Sequence, residues 1–383
     1  MANIAIIGSS WGDEGKGRIT HYFSKHFEWV IRFNGGANAG HTIYRSFSNG
    51  QKLKYVHNLL PSFDWRLPDT KCFLAQGMVI DLDQLYTEIM KVEEDSASTC
   101  QYKFGDIAKR IYVDPDAFVV LPEHKKEDAA TNGYIGSTNK GIGPAYKSKI
   151  ARKGTRIKDL LKANSEITSS LQEAGVQFKH ILELKREFMK TDLLFEGSQG
   201  VMIDINHGTY PYVSCSDATI AGIYTSGFNF IRLDNVYGVA KAYLTKVGEG
   251  PFPTEIHGEE AEFLRKAGNE YGATTGRPRR IGWFDLPATK YACEKGGIQN
   301  LIITKLDILD GMERVKICAA YDKIPVCPSD FFGTNVQLIS LPGWKNSKNK
   351  DEVAPFIDYI SNFSGCAVKY ISTGIDDSDI LEW

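Results

Sequence analysis

The chain has 383 residues, 42% apolar and 24% charged, with 45 basic and 47 acidic side chains for a net charge of −2. This is the balance of a globular chain with a sizeable core. It excludes a general electrostatic surface for nucleic acid or membrane, so any phosphate binding must come from local sites. In chain order, short apolar runs repeatedly end in glycine-rich loops. Residues 4–7 (IAII) lead into GSSWGDEGKG, 29–33 (WVIRF) into NGGANAGHT, 193–195 (LLF) into EGSQG, 300–304 (NLIIT) into KLDILDG, and 368–372 (VKYIS) into TGIDD. Buried strands followed by polar loops are the mark of an α/β sheet with ligands at the strands' carboxyl ends. Between them, 157–190 reads as an amphipathic helix pair, 259–266 and 288–294 as helices, and the polar stretch 344–352 as a surface loop.

No apolar run approaches a membrane span, and the amino terminus passes straight into a glycine loop, unlike a signal peptide. Cys72, Cys100, Cys215, Cys293, Cys318, Cys327 and Cys366 are scattered with no CxxC pair, which reads as reduced thiols in a cytoplasmic setting. With no linker, repeat or low-complexity tract, the expectation is an α/β fold. It is a single large domain over 1–383 around a mostly parallel central sheet, with a P-loop-like phosphate loop and embellishing helices.

Six motifs carry chemistry. In GDEGKG (12–17), Gly15, Lys16 and Gly17 offer backbone N–H groups and an ammonium to phosphate. The loop is not a full Walker A: Ser10 stands where that pattern wants its first glycine, and Gly17 where it wants a hydroxyl. A Mg2+ ion therefore needs another ligand, and Asp13 is the candidate. NGGANAGHT (34–42) puts His41 in a loop at a strand end, where an imidazole meets developing phosphate charge. GSTNKGIGPAY (136–146), with Lys149 and Arg152 after it, groups hydroxyls, glycines and cations that suit a nucleotide phosphate. In EGSQG (196–200), followed by HGTYPYVS (207–214), Gln199 offers a donor and an acceptor to a base edge. ATTGRPRR (273–280) reads as an arginine clamp for carboxylate or phosphate, because clustered guanidiniums repel unless an anion joins them. In TKLD (304–307), the Asp307 carboxylate suits the N1–H and 2-amino donors of guanine, which adenine lacks, while the Lys305 stem covers the ring.

Together with GPFPTE (250–255) and STG (372–374), these motifs in this order resemble the adenylosuccinate synthetase family from residue 3 to about 376. The resemblance implies a GTP-dependent carbon–nitrogen ligase of purine synthesis. GTP phosphorylates the 6-oxygen of IMP, and L-aspartate then displaces the phosphate to give adenylosuccinate, GDP and phosphate. It implies Asp13, His41 and Gln199 as catalytic residues: Asp13 removes the base N1 proton, His41 acts as acid toward the β–γ bridge, and Gln199 contacts the base. It assigns GTP to Gly15, Lys16, Gly17, Thr42, Arg279, Lys305, Asp307, Ser372 and Gly374. The nucleotide monophosphate falls to Asn38, Thr138, Arg152, Gln199, Ser214, Val247 and Arg277, and aspartate to Thr274, Thr275, Arg277 and Arg279. Mg2+ falls to Asp13 and the Gly40 carbonyl. A cytoplasmic homodimer is implied, or one in the host cytoplasm if phage-encoded, with Arg152 acting across the interface and no nucleic-acid or membrane partner.

The chain departs from the family pattern in places. It is compact, as archaeal and phage members are, being shorter between Lys153 and Thr191 and around 320–345. Ala37 replaces a common His, Ser198 an Ala and Asp217 an Asn; Met202 and Asn206 change the wall near Gln199; Pro278 interrupts an arginine run. Extra room from Ala37, Ser198 and Met202 would suit the alternative acceptor, the dGMP of phage-type 2-aminoadenylosuccinate synthases. Those members often carry Ser in place of Asp13.

Overall fold

The computed structural model describes residues 2–46, 52–99, 102–131, 136–272 and 276–383. The chain resolves into two compact units. The first comprises 1–6, 17–198 and 215–234; the second comprises 7–16, 199–214 and 235–383.

In the first unit the strand Leu193–Gly200 runs parallel to Trp29–Arg32, with Leu193 opposite Trp29 and Glu196 opposite Arg32. Trp29–Arg32 then pairs in parallel with Lys71–Leu74, which pairs with Ile111–Val113, which pairs with Gln177–Phe178. Trp29, Val30 and Ile31 are fully buried, the pattern of strands covered on both faces. The hairpin His41–Ser46 with Lys52–His57 follows the second apolar run and sets His41 opposite His57.

In the second unit Asn235–Lys241 pairs in parallel with Asn300–Thr304, which pairs in parallel with Ala367–Ser372; only the last strand, Ile380–Glu382, is antiparallel. A smaller sheet carries Tyr243–Lys246 and Glu255–Ile256, both antiparallel to Arg280–Asp285. The expected α/β class with mostly parallel pairing is observed. The helix Leu286–Gly296 shows how sequence bounds an element: the Asp285 side chain accepts from Ala288 N at its start, proline sits in its first turn, and Gly297 ends it at φ 69°.

Two expectations need correction. Residues 157–190 form three short helices, Ile157–Lys162, Glu166–Ala174 and Ile181–Phe188, not a pair. Asn164 (φ 48°) and Gly175 (φ 111°) take left-handed backbone and interrupt the periodic pattern. The stretch 344–352 is anchored rather than a plain surface loop. Trp344 is buried and its indole N–H donates to Leu306 O at 3.2 Å, Ser347 N donates to Asp310 Oδ1 at 2.9 Å, and a helix begins at Lys350. One tryptophan outweighs the polar composition around it. Cys72, Cys215, Cys293, Cys318, Cys327 and Cys366 are free thiols, and Cys100 lies outside the described residues. Among the described residues no helix is long and apolar enough to cross a membrane.

Candidate active site

Within the second unit, the first strand opens into the loop that carries Asp13, Gly15 and Lys16. Gly12, Asp13 and Gly15 all have positive φ, at 93°, 59° and 95°, so the loop turns tightly. A carboxylate that sequence reasoning overlooked occupies its centre. Glu14 Oε1 accepts from Ser10 N at 3.2 Å, Ser10 Oγ at 3.0 Å and Gly12 N at 2.9 Å, while Lys16 Nζ donates to Oε2 at 2.6 Å. Both charged groups are buried. A Cβ on Gly8 would stand 2.6 Å from the Glu14 oxygens, and one on Gly200 would also strike them, so two motif glycines make room for this carboxylate. The signal in the sequence was the Asp13–Glu14 pair beside Lys16: two acids next to one ammonium need two different roles.

The TKLD segment lies beside this loop. Thr304 Oγ1 donates to Glu14 O at 2.7 Å. Lys305 takes positive φ (65°) and sends its ammonium to Gly268 O at 2.8 Å, and Asp307 follows in a short 3-10 turn. Ser372 ends the neighbouring parallel strand, in which Ile371 is opposite Ile303, so the TKLD and STG loops leave the sheet side by side. Thr373 N donates to Asp379 O at 2.9 Å, and the Asp379 carboxylate fills the space a side chain on Gly374 would need.

The three arginines of ATTGRPRR separate into three environments, contrary to a single clamp. Arg280 binds Glu255 in a fork, Nε at 2.8 Å and Nη2 at 2.5 Å, and donates to Gly248 O and Gly250 O at 3.1 and 2.9 Å, so it fastens the GPFPTE loop. Arg279 faces the phosphate loop, with Nε 2.6 Å from Asp13 Oδ2 and Nη1 2.6 Å from Glu270 Oε2. Arg277 is exposed, and its carbonyl accepts from Gly272 N at 2.8 Å. An open cleft of about 430 Å³ flanks this segment, lined by Glu255, Glu262, Arg265, Pro278, Arg279 and Arg280. Thr274 and Thr275 lie outside the described residues. Gln199 has φ 60° at a strand end, Ser214 N donates to Ile203 O at 2.7 Å, and Val247 is half-buried at the end of Tyr243–Lys246.

Within the first unit, His41 is the best-defined group. Its Nδ1 lies 2.7 Å from Glu196 Oε1, and Ser62 N donates to Glu196 Oε2 at 2.9 Å. Burial alone would raise the Glu196 carboxyl, but His41, Arg32 and Ser62 bring it down to about 2. A Cβ on Gly17 would stand 2.5 Å from His41 Cβ and 2.8 Å from Ser62 Oγ, so Gly17 serves close packing here. Asn38 Oδ1 and Ser62 Oγ are buried without a hydrogen-bond partner, a costly condition that a ligand would relieve. Thr42 and Gly40 are half-buried beside His41 in sequence. Thr138 sits in a loop pinned by Asp128, which accepts from Ser137 Oγ at 2.7 Å and Gly141 N at 2.8 Å. Arg152 is exposed with φ 63°. Of the departures from the family pattern, Ala37 and Met202 are fully buried, and the Ser198 hydroxyl donates to Asn34 O at 3.0 Å and accepts from Arg32. Asp114, Asp116 and His180 form a cluster of metal-ligand type. Asp116 already pairs with Arg156 at 2.7 Å and Lys158 at 2.6 Å and lies 3.0 Å from His180 Nε2, so Arg156 and Lys158 already hold its carboxylate.

The family model described as adenylosuccinate synthetase matches residues 5–192 and 166–381. The chain belongs to the adenylosuccinate synthetase family. The synthetase of Petrotoga mobilis is 41% identical over 98% of this chain and 96% of its own length. That of Thermotoga maritima is 38% identical over 99% and 100%. Among solved structures, a fully ligated adenylosuccinate synthetase from Plasmodium falciparum has a TM-score of 0.85, with 29% identity and both chains covered in full. The cyanophage S-2L succinoaminodeoxyadenylate synthetase, bound to dGMP and dATP, has a TM-score of 0.71 at 22% identity over 100% of this chain and 95% of its own, a likeness of fold. As a synthetase of this family, the chain is a carbon–nitrogen ligase.

Proposed function

We propose that the chain, acting as one synthetase domain over 1–383, joins L-aspartate to C6 of IMP at the expense of GTP. The observation that carries this reading is Asp13, a partly exposed carboxylate in the phosphate loop and in contact with Arg279 of the arginine segment. Asp13 takes the N1 proton of the purine, which moves charge onto the 6-oxygen and makes it a phosphoryl acceptor. The γ-phosphoryl group passes from GTP to that oxygen while Lys16 and the Gly15–Gly17 N–H groups neutralise charge; such a transfer depends on positioning more than covalent help. His41, with Glu196 behind it, donates toward the β–γ bridging oxygen. The amine of aspartate, held by Arg277, Arg279, Thr274 and Thr275, then attacks C6 and phosphate leaves. Asn38, Thr138, Ser214, Gln199 and Val247 hold the nucleotide monophosphate, and Thr42, Ser372 and Gly374 complete the GTP contacts. Asp13 and the Gly40 carbonyl are hard oxygen donors of the kind Mg2+ takes, and the ion would neutralise phosphate charge. Arg152, exposed, is assigned to a homodimer partner's monophosphate site, and the setting is the cytoplasm.

The acceptor is IMP rather than dGMP. The 2-amino group of guanine needs a partner or is buried unsatisfied at about 1–3 kcal/mol. The three substitutions that would make room for it are two buried apolar side chains and a hydroxyl already engaged. The test is kcat/KM for IMP, GMP, dIMP and dGMP with GTP and aspartate. IMP should lead by about tenfold or more, roughly 1.4 kcal/mol; a lead for dGMP would make this a phage-type synthase with the same chemistry.

The donor is tested at Asp307. Asp307→Asn should weaken GTP use by roughly 10- to 150-fold, the loss of one charge-assisted pair of about 1.5–3 kcal/mol, and improve use of XTP. Xanthine presents an acceptor where guanine has its amino donor. Equal wild-type rates with ATP and GTP would defeat the assignment.

A further inference from the structure

Glu270 lies in the turn after helix Gly258–Ala267, ahead of the arginine segment, and is fully buried. None of the steps above uses it. Its Oε2 accepts from Arg279 Nη1 at 2.6 Å and from Lys241 Nζ at 2.8 Å, and its Oε1 accepts from the Tyr243 hydroxyl at 2.6 Å. Lys241 also donates to Thr245 Oγ1 at 2.7 Å. Arg279 continues the series to Asp13 at 2.6 Å. Charges thus alternate along Lys241, Glu270, Arg279 and Asp13, whose side chains are 4%, 0%, 12% and 32% exposed. Only the Asp13 end is appreciably open to solvent. Burial would raise the Glu270 carboxyl, but Lys241 and Arg279 bring it down to about 2, so it stays an anion. The backbone reinforces the contact, since Arg279 N donates to Glu270 O at 3.0 Å. Gly268 in the same turn has no room for a side chain, because a Cβ would meet the Tyr243 hydroxyl. Its carbonyl is the acceptor of Lys305.

We propose that Glu270 is a positioning residue for Arg279: backed by Lys241 and Tyr243, it fixes the guanidinium in the orientation from which Arg279 meets the aspartate and GTP anions. The proposal rests on the ligase reading and extends it to a residue behind the substrate contacts. An arginine side chain has several free rotors, and a buried carboxylate on one edge leaves the other edge aimed before substrate arrives. A carboxylate present only to balance Lys241 would not act through Arg279, and kinetics distinguish the two.

The experiment uses the full chain with IMP, GTP, aspartate and Mg2+. Glu270→Gln should raise the KM values for aspartate and GTP by about tenfold, with the IMP KM within about twofold, as loss of one oriented cation requires. In an Arg279→Ala background the same change should add less than about twofold, because both changes remove one interaction. Guanidinium ion added to Arg279→Ala should restore activity when Glu270 is present and fail when it is Gln. Tyr243→Phe, which keeps the ring and loses one donor, should show the same signature at about threefold, and it carries the test if Glu270→Gln does not fold. Additive effects in the cycle, or unchanged aspartate and GTP KM values in a folded variant, would overturn the proposal. A wild-type chain that forms no adenylosuccinate would instead overturn the functional reading on which it rests.

Discussion

Asp13→Ser is expected to abolish measurable turnover while leaving the fold intact. Asp13 is the most exposed member of its charge series, and its removal leaves Arg279 still bound to Glu270 at 2.6 Å. Arg279 keeps one carboxylate partner, so the thermal midpoint should hold within a few degrees. Chemistry should suffer far more. Without a carboxylate to take the N1 proton, the 6-oxygen remains amide-like and accepts phosphate poorly; a positioned base contributes about 10²- to 10⁴-fold. Positional isotope exchange between the β–γ bridge and non-bridging oxygens of GTP, in the presence of IMP, reports the phosphoryl step alone. It should vanish with turnover. Exchange that persists at the wild-type rate would remove Asp13 from the base role and leave it to aspartate addition.

His41→Asn should lower kcat by about 10²- to 10⁴-fold with a GTP KM within about threefold, the pattern of a group that acts in the transition state rather than in binding. The companion variant Glu196→Gln gives the sign of the electrostatics. Glu196, held down to about 2, is an anion at every assay pH and favours the protonated imidazole 2.7 Å away. The amide variant withdraws that charge, so the imidazolium loses its proton at lower pH. The alkaline limb of the kcat profile should therefore move toward lower pH. A limb that stays in place would separate His41 from the titration that limits the rate. A raised GTP KM with normal kcat in His41→Asn would assign the residue to binding instead.

The strands that carry the loops, and the order of those loops, follow from the pattern of residues alone. Short apolar runs that lead into glycine-containing loops read as buried parallel strands, and the strands beginning near residues 4, 29, 193, 300 and 367 all stand where the pattern put them. That the TKLD and STG loops leave the sheet side by side was legible for the same reason: neighbouring parallel strands release their loops at one end of the sheet. Local patterns read less well where left-handed residues interrupt them, as at Asn164 and Gly175, or where one aromatic anchor overrides a polar stretch, as at Trp344. Which acid answers which base emerges with the folded chain. His41 and Glu196 are 155 positions apart, and Arg279 and Asp13 are 266 apart. No periodicity links such residues, because their pairing follows from strand order rather than from local spacing. ATTGRPRR reads as one clamp, yet the fold gives Arg280 to a loop and Arg279 to Glu270 and Asp13, while Arg277 lies at an exposed position. Side chains alternate across a strand and its approach, so the adjacent Arg279 and Arg280 face different surroundings. The buried carboxylates Glu14, Glu196 and Glu270 were hidden likewise: in a sequence an acid looks like surface, and only its partners show that it was worth burying.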